Sequence, residues 1–201
     1  MTTYRMHGSP ISPYARKAMI IARLHGISLD IIPAKASGDA GYTGGANPLG
    51  KIPALEWKPG QWLFDSAVIC EWLDAKGQTP LLGQGELRWI HLWQAALGDG
   101  ISDAAYNLRY EMTRPEALHW PQMIARHEHA LRASVDTLES IVGSLGVPWT
   151  FGNVAIVTGL DYMDYRAGHL DWRGRAPKLA AWHEAFAATD AYRGTFAYEG
   201  S

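Results

Sequence analysis

The chain has little of three things that mark whole classes of protein: cysteine, net charge and long apolar runs. Its single cysteine, Cys70, excludes an intrachain disulfide and a cluster of thiolate metal ligands. The neighbours of Cys70, Val-Ile before it and Glu-Trp-Leu after it, are typical of the packed face of a helix. We therefore interpret Cys70 as a buried, inert thiol.

The formal net charge is only −2, and the lysines and arginines are scattered along the chain. This distribution gives no general attraction for nucleic acid or for anionic lipid, so neither is a predicted partner. No apolar run reaches membrane-spanning length, and the N-terminus lacks the apolar core of a signal peptide. A reducing cytoplasm is the predicted location.

Metal chemistry also has little support in the sequence. None of the eight histidines has a second histidine four residues away, the spacing that would place two rings on one helix face. No phosphate-binding loop or nucleophile elbow is present either. What remains is a globular composition, 47% hydrophobic and 19% charged over 201 residues.

The first part of the chain, residues 1–78, predicts a mixed sheet with helices. Its apolar runs and turn residues indicate a strand, a helix and a strand, and then two strands and a helix. The predicted elements are the strand Thr3 to His7, the helix from Pro13, the strand Ser28 to Ile32, a hairpin turning at Lys58 to Gln61, and the helix from Ser66. The two tryptophans of the hairpin, Trp57 and Trp62, are expected to face each other across it.

Residues 79–85 contain Pro80 and two glycines and are predicted to be a linker. From residue 86 to 201 the apolar spacing is that of helices, as in Leu131, Val135 and Leu138. The second domain is therefore predicted to be all-helical.

Three segments carry the chemistry. Ser12-Pro13-Tyr14 begins the first predicted helix, Asn47 to Leu55 reads Asn-Pro-Leu-Gly-Lys-Ile-Pro-Ala-Leu, and Phe64-Asp65-Ser66 precedes an apolar helix. A helix that begins at Ser66 offers free N–H groups and a positive dipole end to a carboxylate, and Asp65 can attract an ammonium of the same ligand. A simple N-cap is the alternative reading of Asp65-Ser66.

Together these segments resemble the glutathione-binding half of a cytosolic glutathione transferase. The resemblance implies a thioredoxin-like first domain, an all-helical second domain that lines the electrophile site, and a homodimer. It implies glutathione as co-substrate, a small hydrophobic electrophile as second substrate, a role in detoxification, and no metal.

The resemblance also implies a cis peptide bond before Pro53, at the start of the third strand. A cis bond would leave the N–H and C=O of Ile52 free to pair with a ligand's peptide backbone, like an added strand. The alternative is an ordinary trans proline that opens an edge strand.

Ser12 is the predicted catalytic residue. Ser12-Pro13-Tyr14 resembles the redox motif of glutaredoxins without its cysteines, and a serine there can donate its O–H to the sulfur of bound glutathione. The hydroxyl and the helix N-terminus both favour thiolate over thiol. Ser9 is a second candidate for activating the thiol, although we interpret it as a turn residue before Pro10.

Other residues have looser assignments. Lys35 and Lys51 are candidates for the distant carboxylate of glutathione, and Tyr14, Tyr106 and Arg109 for the electrophile. Arg16 and Lys17 are expected on the solvated face of the first helix.

A further segment, Thr150 to Asn153, resembles the family's capping box, in which Asp normally holds the last position. Asn153 is expected to accept a backbone hydrogen bond there, without charge. The helix after it, with Asp161 to Arg166, is interpreted as structural.

These observations predict a serine-type glutathione S-transferase of bacterial type that conjugates small electrophiles. A glutathione-dependent reductase, dehalogenase or isomerase remains an alternative, as does a non-catalytic binding or scaffold protein, because one fold supports all of these.

Overall fold

The structure, a computed structural model, describes residues 2–34 and 45–196. It divides into two compact units. The first contains the chain up to Gln84 together with the segment from Asp190, and the second runs from Gly85 to Thr189. The division of the chain at residues 78 and 85 stays a prediction.

The described part of the first unit forms a four-stranded mixed sheet in the order β2-β1-β3-β4. Strand β1 is parallel to β2 and antiparallel to β3, and β3 and β4 form a hairpin whose turn contains Gly60 at a φ of 73°. The elements are β1 (Thr3–Gly8), α1 (Pro13–Leu24), β2 (Ser28–Pro33), β3 (Ala54–Lys58), β4 (Gln61–Leu63) and α2 (Ser66–Asp74). Helices α1 and α2 pack against each other, and Ile20 of α1 and Ile69 of α2 are fully buried. The predicted order of elements is confirmed.

The predicted pairing of Trp57 with Trp62 is wrong. Trp62 lies opposite Glu56, because the register shifts between Glu56 and Lys58. The ammonium of Lys58 lies 4.1 Å from the centre of the Trp57 ring, and the Trp62 ring packs on His7 at 4.9 Å.

The second unit is helical, as predicted. Its helices are α3 (Glu86–Met112), α4 (Pro121–Leu145), α5 (Phe151–Ala167), α6 (Trp172–Arg175) and α7 (Pro177–Ala187). Helix α5 is buried on all sides from Phe151 to Met163, which fits its lack of a polar face. It crosses α3 at Gly98 and Gly159, where a Cβ on Gly98 would collide with the backbone of Ala155.

The last described helix, α8 (Asp190–Arg193), packs on α1 of the first unit. The expectation that Arg16 and Lys17 face solvent is wrong, since they are 0% and 4% exposed. The guanidinium of Arg16 lies 4.6 Å from the ring centre of Tyr192 and 5.0 Å from that of Phe196. Stacking of this kind lets a long cationic side chain be buried at modest cost.

A buried carboxylate, Asp74 at the end of α2, holds the segment that follows it. Its Oδ1 accepts hydrogen bonds from the His25 ring at 2.8 Å and from the Leu81 N–H at 2.7 Å, and its Oδ2 accepts one from the Leu82 N–H at 3.0 Å. The predicted linker is thus attached to the first unit at Leu81 and Leu82.

The capping segment of α5 differs from the expected box. Thr150 is the N-cap, and its Oγ1 accepts the Asn153 N–H at 3.2 Å. The expectation that Asn153 accepts a backbone hydrogen bond is wrong, because its buried Oδ1 has no hydrogen-bond partner among the described residues. Its Nδ2 instead donates to the carbonyls of Leu145 and Gly146, both at 3.2 Å. Within the described ranges, no helix combines the length and the apolar character needed to cross a membrane.

Candidate functional site

The three chemistry-bearing segments of the first unit leave the sheet at one end. In the antiparallel pair β1–β3, His7 lies opposite Ala54, so β1 ends where β3 begins. In the hairpin, Leu63 lies opposite Leu55, so β4 ends there as well. The segments containing Ser12, Ile52 and Ser66 directly adjoin these strand ends. The sheet topology therefore places the three segments at the same end of the sheet.

The two serines of the first loop have different environments. Ser9 belongs to the turn, where its Oγ accepts the Ile11 N–H at 3.3 Å and its carbonyl accepts the Ser12 N–H at 3.0 Å. Ser12 is the N-cap of α1, and its Oγ accepts the Ala15 N–H at 3.3 Å. Because the Ser12 oxygen acts as acceptor in the cap, its O–H proton remains available for donation.

Ile52 and Pro53 follow a loop that one side chain organises. Asn47 is 1% exposed. Its Nδ2 donates to the Lys51 carbonyl and its Oδ1 accepts the Leu49 N–H, both at 2.9 Å. The Ile52–Pro53 bond is cis, as predicted, and the β1–β3 ladder begins only at Ala54, so Ile52 lies beyond it. The sequence analysis quoted Asn47 as part of a motif but assigned it no role.

Helix α2 begins at Ser66, and Asp65 is its N-cap. The carboxylate of Asp65 accepts the Ala67 N–H at 2.9 Å, and its side chain is exposed. Ser66 is buried in the first turn, at 6% exposure. The capping function of Asp65 leaves its second carboxylate oxygen available to a cation. The Phe64–Asp65 bond is also cis, which the sequence did not predict.

The remaining candidate binding residues of the first unit make fewer defined contacts. Lys51 is exposed, and Tyr14 is half-buried in the first turn of α1. Lys35 lies outside the described residues. His7 lies near the end of β1, and burial, followed by the charge of Arg5, lowers the pKa of its ring. A neutral imidazole is the form that this position favours.

Two of the predicted electrophile residues lie on α3 in the second unit. Tyr106 is half-buried, and its ring centre is 4.4 Å from that of Tyr110, whereas Arg109 is exposed. Burial, followed by a hydrogen bond with Tyr110, raises the pKa of Tyr106 to about 12. A cavity of about 520 Å³ lies between the end of α3 and the start of α4, and Tyr110 contributes to its wall.

Metal-ligating side chains do not converge in the part of the chain that the structure describes. Its residues contain no group of three or more His, Cys, Asp or Glu side chains suited to a metal ion. The site is built from hydroxyl, carboxylate and backbone groups.

Comparisons with known proteins agree with this geometry. Residues 11–76 match the family model of the glutathione S-transferase N-terminal domain. A solved structure of a glutathione transferase family member from Pseudomonas fluorescens Pf-5, with bound glutathione, is 33% identical, with a TM-score of 0.91. The match covers 96% of this chain and 98% of that one. The chain belongs to the glutathione transferase family. Its fold is accordingly the predicted one, a thioredoxin-like α/β domain followed by a helical domain.

A second solved structure and a curated relative agree with this assignment. The same Pseudomonas family member has also been solved with bound S-(propanoic acid)-glutathione, at a TM-score of 0.87, 33% identity and coverage of 95% of this chain and 97% of that one. Among curated proteins, the GST-like protein YibF of Escherichia coli K12, which is uncharacterised, is 28% identical over 180 residues. That match covers 87% of this chain and 89% of YibF.

Proposed function

We propose that this member of the family is a glutathione S-transferase that joins the sulfur of glutathione to small electrophilic carbons. The observation that carries the proposal is the common placement of Ser12, Ile52 and Asp65-Ser66 at one end of the sheet. A family member of similar sequence holds glutathione in its solved structure, which supports the same ligand here.

Ser12 is the proposed activator of the thiol. Its hydroxyl stands at the N-terminus of a 12-residue helix and can donate to a thiolate sulfur. The helix N-terminus and a charge-assisted hydrogen bond both stabilise the anion. Lowering a thiol pKa by about two pH units corresponds to roughly 2.7 kcal/mol, which these two effects together can supply.

The rest of glutathione is assigned to the neighbouring segments. The peptide groups of Ile52, just before Pro53, pair with the ligand backbone in the manner of an added strand. The first N–H groups of α2 and the Ser66 hydroxyl bind the γ-glutamyl carboxylate, and Asp65 binds its ammonium. Lys51 and Lys35 are the proposed partners of the distant carboxylate.

In the reaction, the thiol first loses its proton to solvent and the resulting thiolate attacks the electrophilic carbon. For a haloaromatic substrate a C–S bond forms, the C–halogen bond breaks, and halide leaves with the bonding pair. The protein brings two reactants together and lowers one pKa, so no covalent enzyme intermediate is needed. Tyr14, Tyr106 and Arg109 are the proposed contacts of the electrophile.

We also propose that the protein is a homodimer. The first half of α3 exposes four large apolar side chains, with Trp89 at 66% and Trp93 at 49% exposure beside Leu87 and Ile90. An exposed apolar patch on one helix is typical of a subunit interface.

Calorimetry with glutathione and turnover of a panel of electrophiles test the function. The parent should bind glutathione and release conjugate, and Ser12→Ala should still bind glutathione but turn over slowly. Absence of glutathione binding in the parent would favour a scaffold protein instead.

A further inference from the structure

Arg16, in the second turn of α1, carries a positive charge that is buried inside the first unit. The residue is 0% exposed. Its guanidinium carbon lies 4.6 Å from the ring centre of Tyr192 and 5.0 Å from that of Phe196, and these two rings stack on each other at 5.2 Å. All three residues belong to the first unit. Because a guanidinium stays protonated at any ordinary pH, the charge is permanent, and the proposed activation of the thiol by Ser12 does not involve it.

The charge lies on the same side of α1 as Ser12. The Arg16 N–H donates to the Ser12 carbonyl at 2.9 Å, which closes the first turn of the helix. Residues four apart share a helix face, and helical side chains lean toward the N-terminus. Four residues rise by about 6 Å, so the guanidinium lies within roughly 10 Å of the Ser12 hydroxyl. The long side chain of Arg16 thus extends toward the end of α1 at which the thiol is proposed to bind.

Other charged groups near α1 are on another face, far from its N-terminus, or exposed. Lys17 is 4% exposed but lies on a different face of the helix from Ser12. Asp74 is buried, but it accepts a hydrogen bond from His25, the C-cap of α1, and so lies at the opposite end of that helix. The remaining charged groups on the elements packed against α1 are exposed and screened by solvent: Asp30 of β2, Asp65 and Glu71 of α2, and Asp190 and Arg193 of α8.

We propose that Arg16 is a positioning residue for thiol activation, whose buried charge favours the thiolate form of a sulfur held at the N-terminus of α1. This inference rests on the proposed function, to which it adds a residue that acts through space rather than by contact. The rings of Tyr192 and Phe196 hold the guanidinium in place. At about 10 Å and an effective dielectric constant of about 40, Coulomb's law gives a shift of roughly 0.6 units in the pKa of the thiol.

A thiol introduced by Ser12→Cys measures this charge without glutathione. The natural cysteine, Cys70, is 1% exposed and should not react. The pKa of the introduced thiol is read from thiolate absorbance and from the pH dependence of alkylation by iodoacetamide. Adding Arg16→Met should raise that pKa by about 0.5 units or more. Methionine keeps an apolar stem against the two rings, and replacing a buried charge by such a residue often leaves stability intact. Arg16→Gln replaces Arg16→Met if that variant does not fold.

Arg23→Gln is the matched control, because Arg23 lies on the same face of α1 seven residues later. Its guanidinium also contacts the segment that follows α8, where a Cβ added to Gly194 would collide with it. Arg23 is exposed and lies about 16 Å along the helix from Ser12, roughly two Debye lengths at physiological salt. Its loss should change the pKa of the introduced thiol by less than about 0.2 units. Arg16→Lys keeps the charge and should leave that pKa within about 0.3 units.

An unchanged thiol pKa after Arg16→Met, or an equal rise after Arg23→Gln or Arg16→Lys, would overturn the inference. In the protein with Ser12 intact, Arg16→Met should lower kcat at saturating glutathione about twofold to threefold at pH 6.5 and leave it nearly unchanged at pH 9, where the thiolate is complete. Equal losses at the two pH values would show a merely structural role. If the parent binds no glutathione but the introduced thiol shows the shift, the transferase proposal fails and the role of the Arg16 charge stands.

Discussion

Ser12→Ala should cause two separate losses, because one hydroxyl caps α1 and, in the proposed function, donates to the substrate sulfur. The cap is the 3.3 Å hydrogen bond from the Ala15 N–H to the Ser12 Oγ. Its removal should lower the free energy of unfolding by about 1 kcal/mol. Loss of the hydrogen bond to the thiolate should cost ~2 kcal/mol in transition-state stabilisation, since the acceptor is charged. That corresponds to a fall in kcat/KM of roughly thirtyfold.

Thr150→Ala is the matched control, because the Thr150 Oγ1 caps α5 in the same way, accepting the Asn153 N–H at 3.2 Å. Urea unfolding should show similar losses of stability in the two variants, whereas steady-state conjugation should fall only in Ser12→Ala. Ser12→Thr, which keeps the hydroxyl, should retain most of the activity. The reasoning is refuted if Ser12→Ala keeps its kcat/KM within twofold, or if Thr150→Ala loses as much activity.

Three further predictions concern the rest of the chain. Asn153→Asp should destabilise the protein by about 2 kcal/mol or more at pH 7, because a buried carboxylate would face the Leu145 and Gly146 carbonyls. A urea midpoint higher than that of the parent would contradict this and would support the family's capping box. Its pKa would be raised in the folded state, so the destabilisation should grow as pH rises above about 4. Asp74→Ala should lower the free energy of unfolding by ~3 kcal/mol, since the buried Leu82 N–H, the part-buried Leu81 N–H and the His25 imidazole lose their acceptor. A loss under about 1 kcal/mol in thermal unfolding would contradict this. Trp93→Glu should convert the proposed dimer to a monomer in light scattering. A dimer mass that is unchanged in the variant would place the interface elsewhere.

Local signals predicted much of the site. A serine followed by proline marked the N-cap of α1, and Asp65-Ser66 before an apolar run marked the start of α2. The cis bond at Pro53 followed from the family motif around it. These features depend on neighbours within a few residues, so sequence reasoning could reach them.

The failures share a different cause. Arg16 and Lys17 carry charges that favour a solvated face, but both are buried, and Tyr192 of α8, more than 170 residues later, stacks on Arg16. The position of Trp62 depends on a register shift in β3, which cannot be predicted from the residue types in that strand. Asn153 finds its acceptors in the preceding loop rather than in its own helix. In each case the position of the side chain is set by contacts with another segment of the chain rather than by the pattern of its own segment.

The most direct test of the central claim is the titration of glutathione bound to the protein, followed through the ultraviolet absorbance of the thiolate. If Ser12 and the N-terminus of α1 hold the sulfur as proposed, the bound thiol should lose its proton about two pH units below the free tripeptide, a difference of roughly 2.7 kcal/mol. In Ser12→Ala most of that difference should disappear. Bound glutathione that titrates at the same pH as free glutathione would contradict the account.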